Sequence, residues 1–141
     1  MATANKFQAF VEHLAEQVHK LDSDTLKVSL HAVAPVATNS VFANLTEISA
    51  GNGYTAGGTQ STQSSSAPTS GTYKLVLADV TFTASGGTIG PFRYPVLYND
   101  TPTSPENPLI LYWDYGTDLT VTSGNSFTVD FDASAGVLTI A

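Results

Sequence analysis

Asp130 and Asp132 flank Phe131 at the end of an alternating run, Ser126–Phe131, so both carboxylates fall on the strand face opposite Phe127, Val129 and Phe131. Two hard oxygen donors at that spacing could hold calcium. The helix–loop–helix calcium pattern is not met: counted from Asp130, the sixth position is Ala135 rather than Gly, and the twelfth is Ala141 rather than Glu. The pair reads as a solvated polar face. The three histidines offer less. His13 and His19 are six apart on an expected helix and point to different sides, and His31 takes an outward strand position. Metal ligation needs at least three converging ligands, and no such spacing is present.

Other reactive constellations fail on spacing. Gly51-Asn52-Gly53-Tyr54-Thr55-Ala56-Gly57 places its third Gly one residue late for a dinucleotide loop, and no helix follows to receive a phosphate. A turn needing positive φ accounts for it. There is no G-x-S-x-G elbow. Cysteine is absent, which removes disulfides, thiolate nucleophiles and zinc–thiolate sites together. Tyr54, Tyr94, Tyr98, Tyr112, Trp113 and Tyr115 could form a sugar-stacking platform, but large aromatics are first of all core or interface material. No residue is assigned a catalytic, cofactor-binding or metal role, and the chain reads as no enzyme.

The composition narrows the partners. The 141 residues carry a formal charge of −7, and the cations Lys6, Lys20, Lys27, Lys74 and Arg93 are scattered. Without a basic stripe, neither nucleic acid nor an anionic membrane is an expected partner. No run is apolar enough for a signal peptide or a membrane span, so the expected place of accumulation is the cytoplasm of the producing cell.

The elements that must position everything are mostly strands. Short β-branched and aromatic runs between Gly, Ser and Asn turns predict a mainly β chain, a jelly-roll-like β-sandwich of about eight strands with one N-terminal amphipathic helix. Two parts are expected: 1–24, the helix, and 25–141, the sandwich. The helix is expected over Asn5–Leu21, with Asn5 and Gln8 as a capping box and a stripe of Phe7, Phe10, Val11, Leu14, Val18 and Leu21. That stripe either packs on its own sheet or docks on a neighbouring subunit, since an isolated helix of this length is marginal. Thr25–Val33 predicts a strand with Leu26, Val28 and Leu30 inward. Gly57–Gly71 has no large apolar side chain and reads as a polar arm held by sheet bonds or by a partner.

The centre of the core is expected in two strands, about Ile89–Tyr98 and Pro108–Tyr115, joined by the polar loop Asn99–Asn107. Phe92, Tyr94, Val96 and Tyr98 should share one face, and Leu109, Leu111, Trp113 and Tyr115 another. Pro91 and Pro95 have the same parity and mark a weakened, exposed edge.

The order of these motifs has a likeness. The N-terminal helix, the GNGY stretch, GPFRYPVLYND, PLILYWDYG and the closing SGNSFTVDF together resemble small structural proteins of tailed bacteriophages, over nearly the whole chain. The resemblance implies a non-enzymatic virion protein that oligomerises on the capsid surface and acts as a decoration (cement) protein bridging subunits of the major capsid protein. A tail- or fibre-associated structural or receptor-binding protein is the alternative, and a carbohydrate-binding module the second. No cofactor is implied. The expected contact residues are Phe7, Phe10, Val11 and Leu14 on the helix. Gln60, Gln63 and Pro68 are expected on the arm, and Pro91, Arg93 and Pro95 on the proline-marked edge.

Overall fold

The computed structural model describes residues 2–141, so Met1, the first residue of the expected helical part, lies outside the described residues. The chain runs β1 (Thr3–Lys6), α1 (Ala9–Ala15), β2 (Leu26–His31), a 3-10 turn at Phe42–Asn44, β3 (Thr59–Ser61), β4 (Gln63–Thr69) and β5 (Thr72–Leu77). It continues with β6 (Val80–Thr83), β7 (Ile89–Phe92), β8 (Tyr94–Asn99), β9 (Leu109–Asp114), β10 (Leu119–Val121), β11 (Ser126–Val129) and β12 (Leu138–Ile140). The protein is mainly β, as expected, but the described residues form twelve strands rather than about eight. All ladders between them are antiparallel.

The organising sheet has the order β1-β9-β8-β2-β3. Three smaller sheets, β10-β7, β11-β6 and β12-β5-β4, supply the remaining strands. The large core draws from both sides. Leu26, Val28, Leu30, Leu97 and Leu111 come from the five-stranded sheet, and Leu75, Leu77, Phe82, Ile89, Phe92 and Phe131 from the smaller sheets and the segment after β11. A second cluster, Phe7, Val96, Tyr98 and Leu109 with Phe42, Leu45 and Tyr112 against it, covers the other face of the same sheet. The central strands are therefore apolar on both faces, which is why β8 reads as a nearly continuous buried run.

Several sequence expectations change for identifiable reasons. The expected strand Ile89–Tyr98 is broken at Arg93. β7 pairs with β10, while β8 lies between β2 and β9. Phe92 accordingly joins the large core, whereas Val96 and Tyr98 join the second cluster. Pro95 is thus in a central strand, not on an edge. It sits opposite Leu30, whose N–H goes to Tyr54 Oη and whose carbonyl accepts from Ile48. Leu30 turns its backbone groups away from Pro95, so the missing proline donor costs no bond between that pair. Pro91, in a strand of a two-stranded sheet, does lie in an edge strand.

The common face expected for Leu109 and Leu111 is lost to a bulge. Leu97 pairs with Leu111 but Tyr98 with Leu109, so Ile110 is an extra residue. One inserted residue reverses side-chain parity, and Leu109 and Leu111 end in different clusters. In β2 the expected outward residues Ser29 and His31 are wholly buried, because the second cluster covers that face. His31 stacks edge-on to Phe42 with centroids 5.8 Å apart.

The helix is shorter than Asn5–Leu21. Thr3–Lys6 is recruited as a strand onto β9, and α1 covers only Ala9–Ala15. The expected capping box does not form: Asn5 donates to Thr3 O, and the cap residue, Gln8, makes no side-chain cap bond. Gln17 adopts φ +64 and turns the chain back. Of the two alternatives for the polar stretch Gly57–Gly71, sheet bonds hold it: it forms β3 and β4, with β3 on β2 and β4 on β5.

Candidate functional site

Several residues expected at a contact surface are used inside the domain. Phe7 is fully buried, Phe10 is 4% exposed, and Leu14 packs against the large core. The stripe is therefore covered by the chain's own sheets, and α1 is no detached arm. Val11, at the margin of that stripe, is 53% exposed. Gln63 spends its amide on Leu21 O (3.1 Å) and Asp24 O (2.6 Å), tying β4 to the turn after the helix. Pro95 is buried. Gln60, Pro68 and Pro91 remain exposed. Arg93 is half-buried and forks onto Asp114, Nε at 2.6 Å and Nη2 at 2.9 Å. This pairing, with the Gly116 N–H, holds the Asp114 carboxyl below its usual range.

The polar residues with chemical potential are satisfied internally or scattered. His31 Nδ1 meets Thr46 O, and Nε2 meets Ser29 Oγ, each at 2.8 Å. Burial pushes its pKa down. His13 and His19 do not point apart. The early end of α1 folds His19 back until the rings are 5.9 Å apart. No group of three His, Cys, Asp or Glu that could hold a metal occurs among the described residues. Asp132 Oδ1 accepts the N–H groups of Ser134 (2.7 Å) and Ala135 (3.0 Å), which fixes a turn and lowers the carboxyl pKa.

One concave site emerges that the sequence did not single out. A cleft of about 430 Å³ opens between β9 and the segment that carries β11 toward β12. Trp113, Tyr115, Phe127 and Phe131 are among the lining residues, with Asp130 and Asp132. Trp113 lies 5.7 Å from Phe131, and Tyr115 lies 6.0 Å from Phe127, centroid to centroid. Tyr115 is 48% exposed, so its ring is available. Of the six aromatics considered as a platform, Tyr54 and Tyr98 are core, and Tyr112 packs on Phe7 over the other sheet face. Only Trp113 and Tyr115 reach the cleft. The two alternating runs were visible, but that they form one cleft depends on tertiary packing.

A second surface is the outer edge of β4, whose sequence QSSSAPT carries no charge. Ser70 (φ +51) and Gly71 (φ +79) make the tight turn into β5, with positive φ at both central residues as in a type I′ hairpin. In such a hairpin the flanking pair, Thr69 and Thr72, is hydrogen-bonded, so Thr69 faces β5 and Pro68 faces outward. Pro68 blunts the edge at the hairpin end, while the backbone of Ser66 faces the open side.

Comparisons with protein-family models, with curated proteins and with solved structures find no match.

Proposed function

We propose that this chain is a non-enzymatic structural protein of a tailed-phage virion, attached to the outer capsid as a decoration protein that bridges subunits of the major capsid protein. The observation that carries the proposal is the edge of β4: seven uncharged, mostly exposed residues at the rim of a sheet, blunted by Pro68 near one end and by an irregularity at Gln63–Ser65 near the other. Natural edges are usually shielded by charge, and an unshielded polar edge suits contact with another chain. The sequence likeness to phage structural proteins points the same way, and a jelly-roll-like reading of the layered sheets belongs to this proposal. Repetition on a symmetric shell would make modest contacts strong through effective concentration.

Imaging of purified particles tests this. Density for the protein over the capsid, at hundreds of copies per particle, is the expected result. Density confined to the tail, at tens of copies or fewer, would replace decoration by a tail- or fibre-associated role.

A further inference from the structure

We infer that the cleft lined by Trp113, Tyr115 and Asp130 is a receptor for a guanidinium or alkylammonium group, presented as an arginine or lysine side chain by a protein partner. The volume, about 430 Å³, is that of a small-ligand site. Its chemistry is one-sided. Among the described residues that line it there is no Lys, Arg or His, whereas Asp130 and Asp132 are present. Asp132 is ionised at neutral pH because the Ser134 and Ala135 N–H groups stabilise its charge. Asp130 is exposed and takes part in neither of the ion pairs, Lys27–Asp100 and Arg93–Asp114.

Two of the protein's own side-chain cations lie nearby, and the Lys74 charge already favours ionised Asp132, which leaves Asp130 as the lining carboxylate outside any ion pair among the described residues. Arg93 is forked onto Asp114, and Lys74 Nζ donates to Ser134 O at 2.9 Å. An ionised carboxylate only accepts hydrogen bonds, and a guanidinium only donates them. The exposed Tyr115 ring adds the negative quadrupole that attracts a cation, and the apolar surface of Trp113, Phe127 and Phe131 suits the side-chain stem. A neutral saccharide fits less well. Its hydroxyls need donors as well as acceptors, and the side chains here offer Thr128 as the sole donor outside the Tyr115 hydroxyl and the Trp113 indole N–H.

The identity of the cation's source rests on the assembly reading, but the chemistry of the cleft does not, and the test separates them. Trp113 is the chain's only tryptophan, so its emission reports the cleft directly. The folded protein is titrated with n-butylguanidinium, with methyl α-glucoside and with acetate. Saturable change with the cation alone is expected, at a Kd on the order of 1–10 mM for so small a probe. Asp130→Asn and Tyr115→Ala, both exposed positions, should each weaken it by about five- to tenfold, and added salt should weaken it further. Absence of saturation by the cation, saturation by the glucoside in its place, or unaltered affinity in both variants overturns the proposal. If the cation binds as described while the protein does not attach to particles, the assembly reading fails and the cleft stands.

Discussion

Asn99 grips His19 and Asp24 with one amide: its Nδ2 lies 3.1 Å from His19 Nδ1 and 2.5 Å from Asp24 Oδ2. The amide oxygen accepts Thr101 N–H at 3.1 Å, which fixes the amide's orientation. His19 Nδ1 must then be an acceptor, so its proton is on Nε2. That atom is buried without a partner, and so is His13 Nδ1, in the ring 5.9 Å away. A buried polar pocket thus joins α1, the turn that follows it and β8.

The pocket makes stability depend on acid. Burial, and then the nearby His13, lower the His19 pKa to about 4, with Asp24 partly opposing. His31 is shifted in the same direction by burial. In the unfolded chain a histidine takes a proton near pH 6.5. Between that pH and 4 the unfolded state binds more protons, so stability falls as pH falls. The contribution of His19 is complete above pH 6.5 and is lost progressively toward pH 4, by about 2–3 kcal/mol. Unfolding free energies from urea titrations at pH 7.5 and pH 5 should differ by about 2 kcal/mol through His19, and His19→Gln should flatten the difference. An unchanged pH profile in His19→Gln would show that another group governs the acid response.

Neighbouring residues on α1 should behave oppositely. Phe10 is 4% exposed in the large core, and an unpaired carboxylate there costs several kcal/mol. Phe10→Asp should lose its far-ultraviolet circular dichroism signal at temperatures where the wild type is folded. Val11, 53% exposed, should accept Asp with the fold and melting curve retained. A folded Phe10→Asp protein would contradict the packing of α1 on its own sheets.

What was legible in the sequence follows from which rules are local. The alternation in Ser126–Phe131 and Leu109–Tyr115 announced strands, and β11 and β9 are there. Faces were less legible, because parity survives only without bulges, and Ile110 interrupts it. The proline rule worked at Pro91, in an edge strand, and failed at Pro95, where its partner Leu30 directs its backbone elsewhere. Ser29 and His31 looked solvent-facing because polarity was taken as exposure. A sheet covered on both faces can bury polar side chains that bond to each other, as these two do at 2.8 Å. The cleft could not be read at all, since Trp113 and Phe131 are brought to 5.7 Å only by the fold.

Tyr54 fastens the loop before β3 to β2. Its Oη donates to Glu47 Oε1 at 2.6 Å and accepts Leu30 N–H at 3.0 Å, and Glu47 Oε1 also accepts Gly57 N–H at 2.7 Å. Burial, and then the Glu47 bond, push the phenol pKa upward, so it stays protonated in the folded state. Tyr54→Phe leaves a buried Leu30 donor without a partner and should cost about 1–3 kcal/mol. Glu47→Gln retains an acceptor oxygen and should cost less. Chemical denaturation of the two variants checks the order, and a larger loss in Glu47→Gln would place the main contribution in the carboxylate's charge.

Two glycines with similar backbone separate strain from crowding. Gly58 has φ +75 and Gly71 φ +79, so alanine is conformationally strained at both, by about 1–2 kcal/mol. At Gly71, the tip of the β4–β5 hairpin, an added Cβ meets no atom within 4 Å. At Gly58 it would overlap the Val28 carbonyl and lie 2.8 Å from Ser29 Cα, both rigid backbone of β2. Val28 is also where β3 pairs, opposite Thr59, so relief requires β3 to move off the sheet. Gly71→Ala should therefore cost only the strain. Gly58→Ala should cost appreciably more and speed amide hydrogen exchange in Leu26–Val28 and Thr59–Ser61. Equal destabilisation of the two variants, with exchange in β3 unaltered, would mean that β3 does not approach β2 this closely in solution.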